Sequence, residues 1–451
     1  MVEKSLGQRA VVIGGSIAGL LSARVLADYF EQVDVLERDP LPAEPTHRDG
    51  SPQDRHVHAF LKGGENIINE WFPGFGSDLE NGGSISIDMG KDLKYYGNGH
   101  WRPRQDSGFR IHAQSRPFLE WTLRKRVAEL PNVTIHEECR VGEVLFDNQN
   151  TRVCGVEYRQ ADSNPPLKSL EAGFVVDASG RGSFAPNWLK SAGYEPARSE
   201  LVKINLGYTS GFYQPPDNLP KDWLGLASNT SGPDEPLGGG IYPVEGGRWL
   251  VTMVGYFGDH PPTDHEGFEA HAKRLPQPDI YNALQDATPI SPIKIYPFVG
   301  GVRRFYNELE RLPDQFVVIG DAHAALNPIF GQGMTKAALE AKTLEDCLKM
   351  RAATEQGQLS GLQFDFFKRT AEIIEGPWVA TNFEDFKYAK TSGKRPFGFK
   401  FKFWYQKKFL SLLETDPELY AKVFRVSNFL ESPEGLKSPS IILRTLLHRP
   451  S

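Results

Sequence analysis

A chain of 451 residues with a net charge of −6 and 39% hydrophobic residues can bury a substantial core, and its length suggests two to three domains. The acidic balance argues against a nucleic-acid partner, and no run of about 18 apolar residues marks a membrane span. Residues 1–10 lack the apolar stretch of a signal peptide, and the three cysteines, Cys139, Cys154 and Cys347, stand singly, without disulfide or metal-ligand spacing, so a cytoplasmic location is expected.

In chain order, Ala10–Ile13 reads as a strand, residues 14–19 (Gly-Gly-Ser-Ile-Ala-Gly) as a turn opening a helix from Leu20 to about Tyr29, and Val33–Leu36 as a second strand ending at Glu37. This is the order of a βαβ dinucleotide site: Gly14 makes the turn, Gly19 lets helix pack on strand, and the acid about 20 residues on takes ribose hydroxyls. Ser16 stands where the middle glycine normally lets a pyrophosphate approach, and its hydroxyl can donate to phosphate instead. An irregular loop from Arg38 to about Arg55 holds four prolines and is long enough to be functional. His56 and His58 follow, without a third metal partner; hydrogen bonds to loop backbone or to a phosphate are expected. A helix runs from Ala59 to about Trp71.

Strands and turns fill Ser84 to His112. Ser115 is an N-cap and Pro117 sits in the first turn of a helix that begins at Arg116. Strands at Val133–His136, Val141–Phe146, Val153–Tyr158 and Ala172–Val176 lead to Asp177, Ser179 and Gly180. A β-rich stretch from Leu201 to Phe298 includes strands Val202–Phe212, Gly240–Pro243 and Arg248–Phe257, with two short helices, Glu266–Arg274 and Asp279–Gln285.

Phe316–Ile319 reads as a buried strand ended by Gly320-Asp321. Pro328, Gly331 and Gly333 follow, and a helix from Met334 to about Met350. Strand, acid, tight turn and glycine-opened helix suit a ligand lying across a helix N-terminus, where unpaired N–H groups favour negative charge. Helices are expected at Gln358–Ile374 and Trp404–Leu413, with more beyond Pro417. Residues 387–408 hold eight basic residues and no acid, interleaved with aromatics. They read as a solvated basic face over a packed aromatic one, or alternatively as a docking surface for an anionic carrier, a lipid headgroup or a reductase.

The Gly14–Gly19 fingerprint and the late Gly320-Asp321 stretch together resemble the FAD-dependent monooxygenases of the para-hydroxybenzoate hydroxylase type, group A. Residues 52–58 (Pro-Gln-Asp-Arg-His-Val-His), preceded by Glu37-Arg38-Asp39, resemble more narrowly a subgroup that includes epoxidases of polyene polyketides, the makers of polyether precursors. The resemblance implies an α/β fold: an FAD-binding Rossmann-like domain assembled from residues 8–83, 113–187 and 313–350, a substrate-binding β-rich domain from 84–112 and 188–312, and a C-terminal helical region, 351–451. It implies cofactor contacts from Gly14, Ser16, Ile17, Ala18, Gly19, Glu37, Arg38, Arg116, Val141, Asp177, Gly180, Gly320, Asp321, Gln332 and Met334, with Asp321 on the ribityl chain. Pro328, Gly331 and Gly333 would lie beside the isoalloxazine ring, under a sheet lined by some of Tyr208, Phe212, Tyr242, Trp249, Met253 and Tyr256. No metal is implied.

The implied activity is insertion of one atom of O2, through a C4a-hydroperoxyflavin, into a bulky apolar substrate, by epoxidation or hydroxylation in secondary metabolism. Group A hydroxylases carry an Asp-Gly pair where this chain has Ser179-Gly180, with the acid at Asp177. That pattern is nearer to prenyl reductases and flavin halogenases, so electrons come from NAD(P)H or from a separate flavin reductase. The rivals are a prenyl or alkene reductase, a halogenase and a non-catalytic flavin-binding protein. A halogenase needs a lysine near the ring, for which Lys62 is the candidate, and a Trp-x-Trp-x-Ile-Pro motif, which the stretch beginning at Trp249 does not match. Carrier or reductase partners, and a membrane surface, stay open.

Overall fold

The computed structural model describes residues 5–160, 166–217, 222–354 and 358–448. Short apolar runs separated by helices build a five-stranded parallel sheet in the order Phe316–Val318, Phe174–Asp177, Gly7–Ile13, Phe30–Leu36, Val133–His136. These strands are apolar along nearly their whole length because both faces are covered. Helix Ile17–Leu26, with eight of its ten residues buried, packs between this sheet and helix Gly333–Ala352. Three distant pieces of chain thus share one core.

A nine-stranded sheet forms the second layer, and its pairings are antiparallel except that Gly225–Ser228 runs parallel to Leu93–Gly97. Its centre is the long strand Ser199–Gln214, flanked by Lys294–Arg304 and Arg248–Gly255. Period-two alternation sorts its residues. Trp249, Val251 and Met253 pack under helices His265–Ala272 and Asp279–Gln285, while Leu250, Thr252 and Val254 face the other way, into a cavity. A three-stranded antiparallel sheet, Cys139–Phe146, Val153–Gln160 and Lys168–Glu171, sits beside the parallel one. The late stretch joins the two large sheets: Phe316–Val318 ends the parallel sheet, and Ala324–Ala325 pairs with Lys294–Arg304 of the other.

Several boundaries differ from the sequence reading, among them the helix expected from Trp404, which begins at Phe399, and two have a clear physical reason. The first helix begins at Ile17, three residues earlier than expected, because its first turn is buried with the strand ends. The helix expected to stop at Ile374 continues from Leu362 to Asp385 through Pro377. An internal proline costs about 3 kcal/mol, and burial of Phe366, Phe367, Ile374 and Trp378 offsets it.

Candidate functional site

Register places the chemistry. Ile13 pairs with Asp177 and with Leu36, and Asp177 pairs with Val318, so Gly14, Glu37, Ala178 and Gly320 all leave the sheet at one edge. Ligands of open parallel sheets bind outside the carboxyl ends of the strands. Gly14 has φ +101°, and a Cβ there would lie 2.7 Å from Ala178 O; a Cβ on Gly19 would strike Gly14 O. Only glycine allows this turn and this close approach of helix to strand. The Gly15 N–H donates to Glu37 Oε2 at 2.7 Å.

Behind the turn lies a buried charge network. Arg48 contacts Glu37, Asp39 and Glu120 at 3.1, 3.0 and 2.8 Å. Burial opposes the charge of Arg48, but Glu120, Glu37 and Asp39 together raise its pKa. Glu120 also pairs with Arg116 at 3.0 Å and accepts from Ser16 Oγ at 2.6 Å, while Arg116 Nη2 donates to Ser16 Oγ at 2.9 Å. Burial lifts the Glu120 carboxyl, yet Arg116 and Arg48 hold it below its usual range. Arg116 Nη1 is buried with no partner. An orphaned buried donor of this kind costs free energy unless a ligand oxygen meets it. Beside Ser16 and the open glycine turn, it fits a pyrophosphate.

The late stretch is braced from within. Gly320 has φ +68°. Its N–H donates to Glu340 Oε2 at 2.9 Å, and its carbonyl accepts from Lys336 Nζ at 2.7 Å. Lys336 and Glu340 pair one helical turn apart at 3.1 Å, and His323 Nδ1 is 2.9 Å from Glu340 Oε1; all three side chains are essentially without solvent exposure. This cluster fixes the next residue, Asp321. Its carboxylate is accessible to solvent and makes no hydrogen bond with the described residues, yet it is enclosed closely enough that burial lifts its pKa, against the pull of Lys336 and Arg181. A free carboxylate facing a cleft suits a polyhydroxylated chain.

Asn327 caps the turn Pro328–Phe330, accepting from Ile329 N at 3.2 Å, and Gly331 follows at φ +66°. Helix Gly333–Ala352 begins without a side-chain cap, so its first N–H groups are left to water or to a ligand. Asn327 Nδ2 donates to Asp385 Oδ1 at 2.8 Å and to Tyr256 Oη at 2.9 Å, and the Tyr256 hydroxyl donates to the same Asp385 oxygen at 2.9 Å. Burial lifts the Asp385 carboxyl to about 7.

Pro328 to Gln332 form one wall of a cavity of about 450 Å³. Opposite walls come from Tyr208, Tyr242 and Leu250 of the large sheet and from Leu413 and Phe424 of the C-terminal helices. The lining is mainly apolar, and among the described residues it contains no lysine. His58 lines it, with Nδ1 2.8 Å from His56 O; burial, aided by Arg116, pushes this histidine down to about 4. His56 lies deeper, 2.7 Å from Ser210 Oγ and edge-on to Tyr208, and burial pushes it down to about 3.

The expected site residues fall into groups. Gly14, Ser16, Ile17, Ala18, Gly19, Glu37, Arg116, Gly320, Asp321 and the Pro328–Met334 segment converge on the strand edge and cleft. Gly180 lies nearby at φ +83°. Asp177 is different: it has no solvent exposure and its carboxylate accepts from Ser179 N, Ser179 Oγ and Ser183 Oγ, so it shapes its own loop. Arg38 is half exposed and donates to Gly50 O. Val141 packs on the core from the three-stranded sheet, two residues after Cys139 N bonds Glu37 O. Of the aromatic set, only Tyr208 and Tyr242 face the cavity; Trp249 and Met253 face the opposite core, and Tyr256 serves Asp385. His58 bonds loop backbone as expected, through Nδ1 to His56 O, whereas His56 Nδ1 meets Ser210 of the large sheet, and its buried Nε2 has no partner among the described residues. Lys62 Nζ pairs with Glu65 at 3.2 Å and does not line the cavity. Arg48, Glu120, Lys336, Glu340 and Asp385 escaped the sequence reading. The i, i+4 spacing of Lys336 and Glu340 was the one usable signal.

No family model matches the chain. The fold is that of flavin-dependent monooxygenases and halogenases. The chain resembles the flavin-dependent brominase Bmp2 with a TM-score of 0.69 at 16% identity, covering 98% of both chains. It resembles the p-nitrophenol 4-monooxygenase PnpA of Pseudomonas putida DLL-E4 with a TM-score of 0.62 at 17% identity, covering 100% of both. In sequence it is 34% identical over 455 residues to Protein Rv3254 of Mycobacterium tuberculosis (strain ATCC 25618 / H37Rv), spanning 97% of this chain and 93% of that protein. The chain belongs to the family of Protein Rv3254.

Proposed function

We propose that this protein is an FAD-dependent oxidoreductase, a monooxygenase that places one atom of O2 on a bulky apolar substrate. The observation that carries this reading is the apolar cavity of about 450 Å³ walled by Pro328–Gln332, the turn that opens the uncapped helix Gly333–Ala352. When bound, FAD supplies the two-electron chemistry that activates O2. The chain's part is to hold and screen it. Arg116 Nη1 and the uncapped N–H groups at the start of helix Ile17–Leu26 would meet the pyrophosphate, Glu37 at the strand end would face the ribose, and Asp321 would take the ribityl hydroxyls. The uncapped helix start favours negative charge on the reduced ring by roughly 0.3–1 kcal/mol, and the apolar walls exclude water from the reacting face.

Among monooxygenations, epoxidation of an alkene is favoured over base-assisted hydroxylation. His58 borders the cavity, but burial holds it at about 4, too weak a base to take a proton near neutrality. Epoxidation needs no protein base. This agrees with the resemblance of residues 52–58 to the polyene epoxidase subgroup. The electrons would come from NAD(P)H or from a separate reductase, and the departure from the Asp-Gly pair at Ser179-Gly180 counts against direct reduction by bound NAD(P)H.

A second reading is halogenation, favoured by the likeness to Bmp2. The cavity's lack of lysine and the pairing of Lys62 with Glu65 weigh against it. The test is direct. The purified protein is expected to be yellow and to release FAD on denaturation. Reduced without oxygen and then given O2, it is expected to show a transient absorbance band unlike oxidised or reduced flavin. Saturation of an alkene under anaerobic conditions would instead identify a reductase, and halide-dependent hypohalous acid a halogenase. A colourless protein that takes up no FAD in excess removes the whole reading.

A further inference from the structure

We propose that the C-terminal helices form a docking surface for an anionic lipid bilayer. Helices Phe399–Thr415 and Pro439–Leu447 lie side by side, joined by Lys408 Nζ donating to Leu446 O at 2.6 Å and by Ser411 Oγ, 3.1 Å from His448 Nε2. Each buries one side: Leu412 and Leu413 on the first, Ile441 and Thr445 on the second. Each also turns apolar side chains outward. Phe397, just before the first helix, and Phe401 and Trp404, three apart on it, are 97%, 63% and 45% exposed; Leu443 and Leu447, one turn apart, are 57% and 71% exposed, with Ile442 and Leu446 beside them. Seven of the sixteen exposed large apolar side chains among the described residues stand on these two helices and the short lead-in to the first, so the exposure is concentrated, not scattered. A surface helix ordinarily carries one apolar stripe and buries it. A second stripe, continued onto a neighbouring helix, marks an interaction face.

Charge selects the occupant. Lys394, Arg395, Lys400, Lys402, Lys407 and Lys408 border the apolar side chains, and residues 386–413 and 439–448 contain no acid, in a chain of net charge −6. A second copy docking symmetrically would bring the same basic rim against this one. Anionic headgroups neutralise the rim while the acyl boundary receives Phe397, Trp404 and Leu447. Lys408 Nζ lies over the Trp404 ring, 5.2 Å from its centre, so a cation already stands among these apolar side chains. Leu410 and Leu413 of the same helix line the cavity, which brings the bilayer within one helix of it. That last link rests on the proposed reading of the cavity; the docking surface does not.

The full chain is to be sedimented with vesicles of phosphatidylcholine, with and without phosphatidylglycerol, and its flavin content measured on the same sample. Binding to the anionic vesicles at low salt is expected, weakened by high salt, and about tenfold weaker in Trp404→Glu/Leu447→Glu. Should that variant fail to fold, by circular dichroism, Lys400→Glu/Lys407→Glu takes its place and must show the same loss. No binding at low salt, equal binding to neutral vesicles, or unchanged binding of the variants overturns the proposal. So does a dimer in solution that the substitutions make monomeric, because the face then belongs to a second copy. Flavin content reports on the cofactor reading independently of all these outcomes.

Discussion

Asp385 and Glu340 are both buried carboxylates near the glycine turn, and their partners give them opposite behaviour. Glu340 faces Lys336 and His323, which hold its pKa below the usual range although burial pushes the other way. Replacing it with glutamine leaves the Lys336 charge buried without its counter-ion, so Glu340→Gln is expected to lose about 3–5 kcal/mol in urea unfolding, whereas Lys336→Met/Glu340→Leu loses much less. Asp385 has hydroxyl and amide donors but, among the described residues, no cation beside it, and burial lifts it from 3.8 to about 7. The folded state therefore holds a proton that the unfolded chain releases. Stability is full below about 3.8 and declines as pH rises to about 7. Asp385→Asn keeps an accepting oxygen for Tyr256 and Asn327. Its melting temperature is expected to change less than that of the parent between these limits, and at pH values above them to lie no lower than the parent's. Asp385→Ala strands the Asn327 amide and is expected to cost about 1–3 kcal/mol.

At the scale of elements, helix Ile17–Leu26 and helix Gly333–Ala352 meet the same sheet edge, and the first is positioned by glycines that no other residue replaces. The Gly19 position shows this most sharply, since a Cβ there strikes Gly14 O. Gly19→Ala is expected to force the helix off the strand, costing about 1–3 kcal/mol and lowering flavin content together with stability. Scanning calorimetry and visible absorbance on one preparation check both. This element was legible in the sequence because strand, glycine turn, helix, strand and acid follow one another within thirty residues. The buried network behind it was not. Arg48 lies in an irregular loop and Glu120 in a separate helix, and nothing local marks them as partners. The aromatic wall was half legible: strand alternation predicts two faces but does not say which one meets the cavity, so Tyr242 faces it and Trp249 does not.

At the scale of the whole molecule, the cleft is assembled from strand ends in three separated segments, and the cavity adds walls from the large sheet and the C-terminal helices. A ligand that spans these parts binds the folded state and not the unfolded chain. Added FAD at about 100 times its Kd is therefore expected to stabilise the protein by about 2.7 kcal/mol, read as a rise in melting temperature. Asp321→Ala is expected to keep its fold but to need about tenfold or more FAD for the same rise, having lost a charged acceptor. An unchanged FAD requirement would mean that another acid holds the chain of the cofactor.

Local order determined the two glycine-opened turns, the strands that precede them, the cap at Ser115 and the α/β class, because backbone conformation and hydrophobic period are properties of neighbours in sequence. Tertiary structure alone decided that Asp177 turns inward to its serines while Asp321 bonds none of the described residues, and that His56 Nδ1 meets Ser210 of the large sheet. It also decided that helices near the end of the chain close a cavity begun near its start. These outcomes depend on contacts between residues up to hundreds of positions apart, and burial, which sets both pKa and partner, exists only once the sheets have come together.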